Sequence, residues 1–148
     1  MPFDSCDFNQ GLDARLFSDF HADQISRLRN PHVRFAFDSM RSENAVADAI
    51  RKCRKYGIKN ISVYCLVGYK DTPDDARYRV EKVIEWGAMP NPMRYQPLDC
   101  KVKNSYVSEN WTHDELYRFS RYFSRLNHLR HISFDDFMPQ RASQESLF

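Results

Sequence analysis

Apolar positions along this chain recur in two alternating patterns, short compact runs and helical stripes, and together they predict its elements. The clearest junction spans residues 58–75. The β-branched apolar run at 61–67 reads as a buried strand, and Gly68 ends it where a backbone can approach a ligand closely. Thr72 then suits an N-cap and Pro73 a first helical position, while Asp74 and Asp75 complement the positive end of the helix dipole. The helix that follows carries Ala76, Val80, Val83 and Ile84 and ends near Trp86-Gly87.

Upstream, residues 5–9 read as a short strand followed by a polar loop at 10–15. Phe20, Ile25 and Leu28 mark an amphipathic helix from Ser18 that stops before Asn30-Pro31. Residues 33–37 are compact and aromatic, the pattern of a strand covered on both faces. Ser42 is the expected cap of a helix that turns Val46, Ala49, Ile50 and Cys53 inward and ends at Gly57. Its basic run, Arg51, Lys52, Arg54 and Lys55, reads as a solvated face. Downstream, three prolines exclude a helix over 90–97, and residues 93–96 can form a short strand at a sheet edge. Thr112 and Glu115 form a capping box for a last helix with Leu116, Phe119, Tyr122, Phe123 and Leu126 inward.

Strict strand–helix alternation implies an α/β fold with parallel strands and right-handed crossovers, about four βα units forming a half barrel or a small open sheet. One domain over 1–129 and a C-terminal tail over 130–148 are expected, the last residues from Gln140 reading as a frayed end.

Composition narrows the functional classes. A formal charge of only +2 does not indicate nucleic acid as a partner. With neither a membrane-spanning run nor a signal-peptide pattern, a cytoplasmic location is expected. Cys6, Cys53, Cys65 and Cys100 stand in no metal-ligand spacing, and two fall on faces expected to be buried, so they read as small apolar residues in a reducing compartment. His128 and His131 have a helical spacing but no third ligand, and read as surface residues. All five histidines are expected in helices, turns or the tail. No Walker-type loop, GxGxxG or hydrolytic constellation is present.

In parallel α/β folds the residues just after each strand share one rim. Those residues are Asn9, Gln10, Asp13 and Arg15; Asp38, Ser39 and Arg41; Gly68, Tyr69 and Asp71; and Arg94, Tyr95 and Gln96. They offer carboxylates for hydroxyls, arginines for a carboxylate or phosphate, and amides and tyrosines for a flat heterocycle. Asp13 with Arg15, and Asp38 with Arg41, could equally tie their own loops together.

The strings Phe8-Asn9-Gln10-Gly11-Leu12-Asp13-Ala14-Arg15, Arg34-Phe35-Ala36-Phe37-Asp38, Val63-Tyr64-Cys65-Leu66-Val67-Gly68-Tyr69 with Asp71-Thr72-Pro73, and Pro92-Met93-Arg94-Tyr95-Gln96-Pro97-Leu98 stand in order over roughly residues 5–125. This wording resembles the later part of the partial (βα)6 barrel of the radical S-adenosylmethionine (radical SAM) iron–sulfur enzymes. The resemblance implies that 38–41 contact the ribose and methionine portions of S-adenosylmethionine. It also implies that 63–69 lie against the adenine and that 94–96 help to close that pocket.

The resemblance also has a gap. The family's CxxxCxxC, which binds a [4Fe–4S] cluster, is absent, as is its glycine-rich segment. The chain reads as beginning at the family's third strand, so it is expected to perform no radical chemistry alone. A cluster would come from a missing N-terminal segment or from a partner chain carrying the N-terminal half barrel, and the open first strand would invite such a partner. The alternatives are a non-enzymatic α/β module that binds a ligand or a protein, and a degenerate remnant.

Overall fold

The structure is a computed structural model that describes residues 5–139. Its elements are β1 (Cys6–Asp7), α1 (Asp19–Ser26), β2 (Pro31–Ala36), a 3-10 turn (Met40–Ser42), α2 (Glu43–Lys55), β3 (Asn60–Val67), α3 (Pro73–Glu85), β4 (Met89–Arg94), α4 (His113–Phe123) and α5 (Leu126–Leu129). All strand pairs are parallel, and the sheet order is β1-β2-β3-β4. No helix among the described residues is long and apolar enough to cross a membrane.

Local chemistry places the helix ends. Thr72 Oγ1 accepts from the Asp75 N–H at 3.2 Å while Asp75 Oδ2 accepts from the Thr72 N–H at 3.0 Å. Thr112 and Glu115 make the same reciprocal pair at 3.2 and 2.7 Å. Helices α2 and α3 stop identically, on glycines with φ near +80°, Gly57 and Gly87. The next residue's N–H then returns to the helix, Ile58 to the Cys53 carbonyl and Ala88 to the Val83 carbonyl. Ser42 does not cap α2 with its side chain as expected. Its hydroxyl bonds back to the Ser39 carbonyl at 2.8 Å, and Ser39 caps the short turn instead.

A sheet wound in the order 1-2-3-4 by right-handed crossovers carries its helices on one face. The pattern of burial agrees. Val33, Phe35, Ile61, Val63, Cys65 and Val67 are at most 4 % exposed, and Pro90 and Pro92 in register beside them are buried with the helix stripes. The opposite face carries His32, Arg34 and Ala36 on β2, Ser62, Tyr64 and Leu66 on β3, and Asn91 and Met93 on β4. Strand β2 is therefore covered on one face only, not both. Its aromatic positions had masked the polar alternation His32, Arg34.

The last strand also departs from expectation. It spans Met89–Arg94, not 93–96, and contains two prolines. The Tyr95 N–H reaches the Val67 carbonyl at 2.8 Å, so by the two-residue period the odd positions donate to β3 and positions 90 and 92 turn outward. Proline is tolerated there because its missing N–H faces away from the ladder. That outer edge offers no donor at Pro90 or Pro92, so it is a poor template for a fifth strand.

Residues 130–139, expected to open a tail, pack back on the domain. Phe134 and Phe137 lie against the core, and the Tyr122 hydroxyl donates to the Ile132 carbonyl at 2.7 Å. Arg118 donates to the carbonyls of Phe134, Asp135 and Phe137, and Arg77 pairs with Asp135 at 2.7 Å. Aromatic anchors without a helical period gave no signal in the sequence. The end read as frayed, 140–148, lies outside the described residues.

Candidate functional site

Parallel strands in sequential order bring all four strand ends to one edge, yet the residues found there divide into separate groups. Asp38, Ser39, Arg41 and Tyr69 line one cleft of about 480 Å3, with Met40, Leu66, Lys70, Asp71, Asp75 and Arg79. Arg94 and Gln96 line a second cavity of about 550 Å3 beside α4. Tyr95 is stacked on Tyr69 at 4.3 Å and packs at a steep angle on Tyr106 at 5.1 Å.

At the end of β1 the expected site residues do not reach the cleft. Asp13 receives Arg15 at three points, the backbone N–H and Nε at 3.0 Å and Nη2 at 2.7 Å, which closes the local turn. That hydrogen bonding holds the Asp13 carboxyl below its usual range. Asn9 and Gln10 are exposed, and the Asn9 carbonyl accepts from the Tyr64 hydroxyl at 3.4 Å.

The 480 Å3 cleft is built on a buried ion pair. Arg79 is 1 % exposed, and its Nη1 donates to the carbonyls of Phe37 and Leu66, both at 2.9 Å. Its Nη2 meets Asp71 Oδ2 at 2.5 Å. The other carboxylate oxygen of Asp71 accepts from the N–H groups of Gly68 and Tyr69 at 2.9 and 3.2 Å and from Trp111 Nε1 at 3.1 Å. The Asp71–Arg79 pair thus fixes the ends of β2 and β3, the Gly68 turn and the loop before α4. Gly68 has φ +81°, and a Cβ there would stand 2.7 Å from Leu116 Cδ2, so turn and packing both require glycine.

Asp71 is a positioning residue. Asp38 also works locally, since Oδ1 accepts from the Leu66 N–H at 2.7 Å, the point where β3 leaves the ladder. Arg41 differs. It is exposed on the cleft wall and, among the described residues, its guanidinium meets no carboxylate, carbonyl or ring.

A second polar group, unanticipated from sequence, lies on the uncovered sheet face. Arg34 bonds Asp7 through Nε at 3.0 Å and Nη2 at 2.9 Å and reaches the Tyr64 hydroxyl at 3.2 Å. These bonds lower the Asp7 carboxyl and raise Arg34. Its Nη2 also approaches His32 Nδ1 at 3.4 Å. Arginine only donates, so Nδ1 accepts, the ring proton sits on Nε2, and Nε2 donates to Ser62 Oγ at 2.7 Å. Burial, then the Arg34 charge, lowers the His32 pKa below its usual value, partly opposed by Asp7. His32 belongs to β2, a correction to its expected place in a turn. The readable signal was the period-two pattern His32, Arg34 against Ser62, Tyr64. Arg79 was readable too, because it falls on the apolar stripe of α3 between Ala76 and Val83.

The cysteines do not fit an iron–sulfur cluster. Cys53 and Cys65 are buried on different elements, and burial pushes both thiols up to about 12. Among the described residues no group of three or more His, Cys, Asp or Glu is placed to hold a metal ion. The 480 Å3 cleft presents the Asp38 carboxylate, the Ser39 hydroxyl and the Arg41 guanidinium, with Tyr69, stacked on Tyr95, on its wall. Compared with known proteins, the chain matches no family model, no curated protein and no solved structure.

Proposed function

We propose that this chain is the C-terminal half of a radical SAM iron–sulfur protein, with about four βα units of its half barrel, and that its strand-end cleft binds the nucleoside portion of S-adenosylmethionine. The observation that carries the reading is the cleft at the ends of β2 and β3. It has the volume of a small-molecule site, a rigid floor on the Arg79–Asp71 pair, and an arginine on its wall with no structural task. The singly wound sheet supports the same reading, since helices on one side leave a polar face of the kind that lines a barrel lumen. The proline-blocked edge of β4 suits a last strand.

In this arrangement Asp38, through the carboxylate oxygen not held by the Leu66 N–H, and Ser39 meet the ribose hydroxyls, Arg41 takes the carboxylate of the methionine moiety, and Tyr69 offers its ring to the adenine. The chain supplies binding and orientation only, and the [4Fe–4S] cluster belongs to an N-terminal segment or a partner chain. Support for a partner lies at β1, which pairs two residues with β2 and has no strand on its other side among the described residues. Beside it an apolar groove of about 350 Å3 is lined by Phe8, Leu12, Leu16 and Phe17.

Calorimetry with S-adenosylmethionine tests the binding. Saturable heat is expected, with an affinity that falls about tenfold in Arg41→Ala and in Tyr69→Ala, the loss of one charged contact and of one stacking ring. No heat at millimolar ligand refutes the cofactor reading and leaves a ligand-independent α/β module.

A further inference from the structure

The second cavity, between the free edge of β4 and one face of α4, has no place in the function proposed above. Arg94, Lys103, Arg121 and Arg125 line it and no aspartate or glutamate does. Among the described residues none of the four pairs with a carboxylate. Such an excess of one charge in a concave space concentrates counter-ions.

Two buried polar atoms sharpen the picture. Arg94 Nε and Ser120 Oγ are both hidden from solvent without a hydrogen-bond partner, and both residues line this cavity. Arg94 spends only Nη2, on the Tyr106 carbonyl at 3.0 Å. Gln96 must present its side-chain oxygen to the Asn104 N–H at 3.1 Å, which leaves its amide N–H groups free. A half-buried guanidinium with no carboxylate partner gains from an anion at its accessible end. The helix adds to the supply, because Tyr117, Ser120, Arg121 and Ser124 form one stripe at helical spacing along the cavity wall.

We propose that this cavity binds phosphate, as the free ion or as the phosphate group of a small monoester. Four cations and the free Gln96 amide around one concave space match a dianion with three or more acceptor oxygens better than a carboxylate with two. The site does not depend on the S-adenosylmethionine reading, since it shares no lining residue with that cleft.

The test is a calorimetric titration with inorganic phosphate at low salt, with phenyl phosphate as competitor. Saturable binding, competition by phenyl phosphate, and a loss of about tenfold in Arg121→Gln or Arg125→Gln are expected. Both residues are surface-reaching, so unchanged urea midpoints will show that the variants fold. Lys59→Gln, at the other end of the sheet, should leave binding intact. Tighter binding of phenyl phosphate assigns the site to an ester; weaker binding assigns it to the free ion. The proposal is overturned by absence of saturable heat up to about 10 mM phosphate, or by affinity indifferent to both arginine variants. Displacement of phosphate by a single-stranded oligonucleotide but not by phenyl phosphate also overturns it.

Discussion

Replacing Asp71 by alanine should unfold this protein more readily than any other single change at its strand ends. The carboxylate answers a guanidinium that is 1 % exposed, and it also holds the Gly68 and Tyr69 N–H groups and the indole of Trp111. Removing one partner of a buried ion pair costs about 3–5 kcal/mol, because the other charge stays behind without compensation. At roughly 2–4 °C per kcal/mol for a domain of this size, the melting temperature should fall by roughly 6–20 °C. Arg79→Met alone should cost a similar amount, since it abandons the carboxylate and the carbonyls of Phe37 and Leu66. In the double variant Asp71→Ala/Arg79→Met no buried charge remains, so its cost should fall well short of the sum. Urea unfolding followed by tryptophan fluorescence reads all four forms, and equal m-values keep the comparison valid. A loss under about 1 kcal/mol for Asp71→Ala, or additive costs in the double variant, would refute the reasoning.

Three further outcomes follow from the same geometry. Gly68→Ala should lose about 2–4 kcal/mol, combining left-handed strain with the clash on Leu116, whereas Gly57→Ala, which meets open space, should lose only about 1–2 kcal/mol; urea midpoints compare them. His32 has a folded pKa below its unfolded value, so the folded state binds fewer protons; stability is fully present above about pH 6.5, falls as pH drops through that range and levels off below the folded pKa. Unfolding curves between pH 5 and 8 should show that slope in the native chain and lose it in His32→Gln. Under native conditions a thiol reagent at pH 8 should modify Cys6 and Cys100 but spare Cys53 and Cys65, whose thiols are pushed up to about 12, and denaturation should expose all four.

Much of the fold is legible along the chain because caps and stripes act locally. Thr72 and Thr112 announce their helices by side-chain chemistry alone, and the glycines at 57 and 87 end two of them by backbone freedom. Long-range placement is less legible. Nothing near Asp71 in sequence states that Arg79 will fold under it, or that Trp111 will arrive from 40 residues away. The rim residues were identifiable as strand ends, but whether each would bind or brace depended on partners brought by the fold. Asp13 was taken by Arg15 and Asp38 by the Leu66 N–H, while Arg41 was left open. Strand β4 shows a related limit, because prolines speak against a strand until its outer edge is known to be unpaired.

Where S-adenosylmethionine binds is the most direct test of the strand-end cleft. A titration followed by 1H–15N correlation spectra should move the amides of Ser39, Arg41, Leu66 and Tyr69 together, with one saturation curve, and leave Arg121 and Arg125 in place. Shifts that gather instead at α4, or an unchanged spectrum at millimolar ligand, would contradict it.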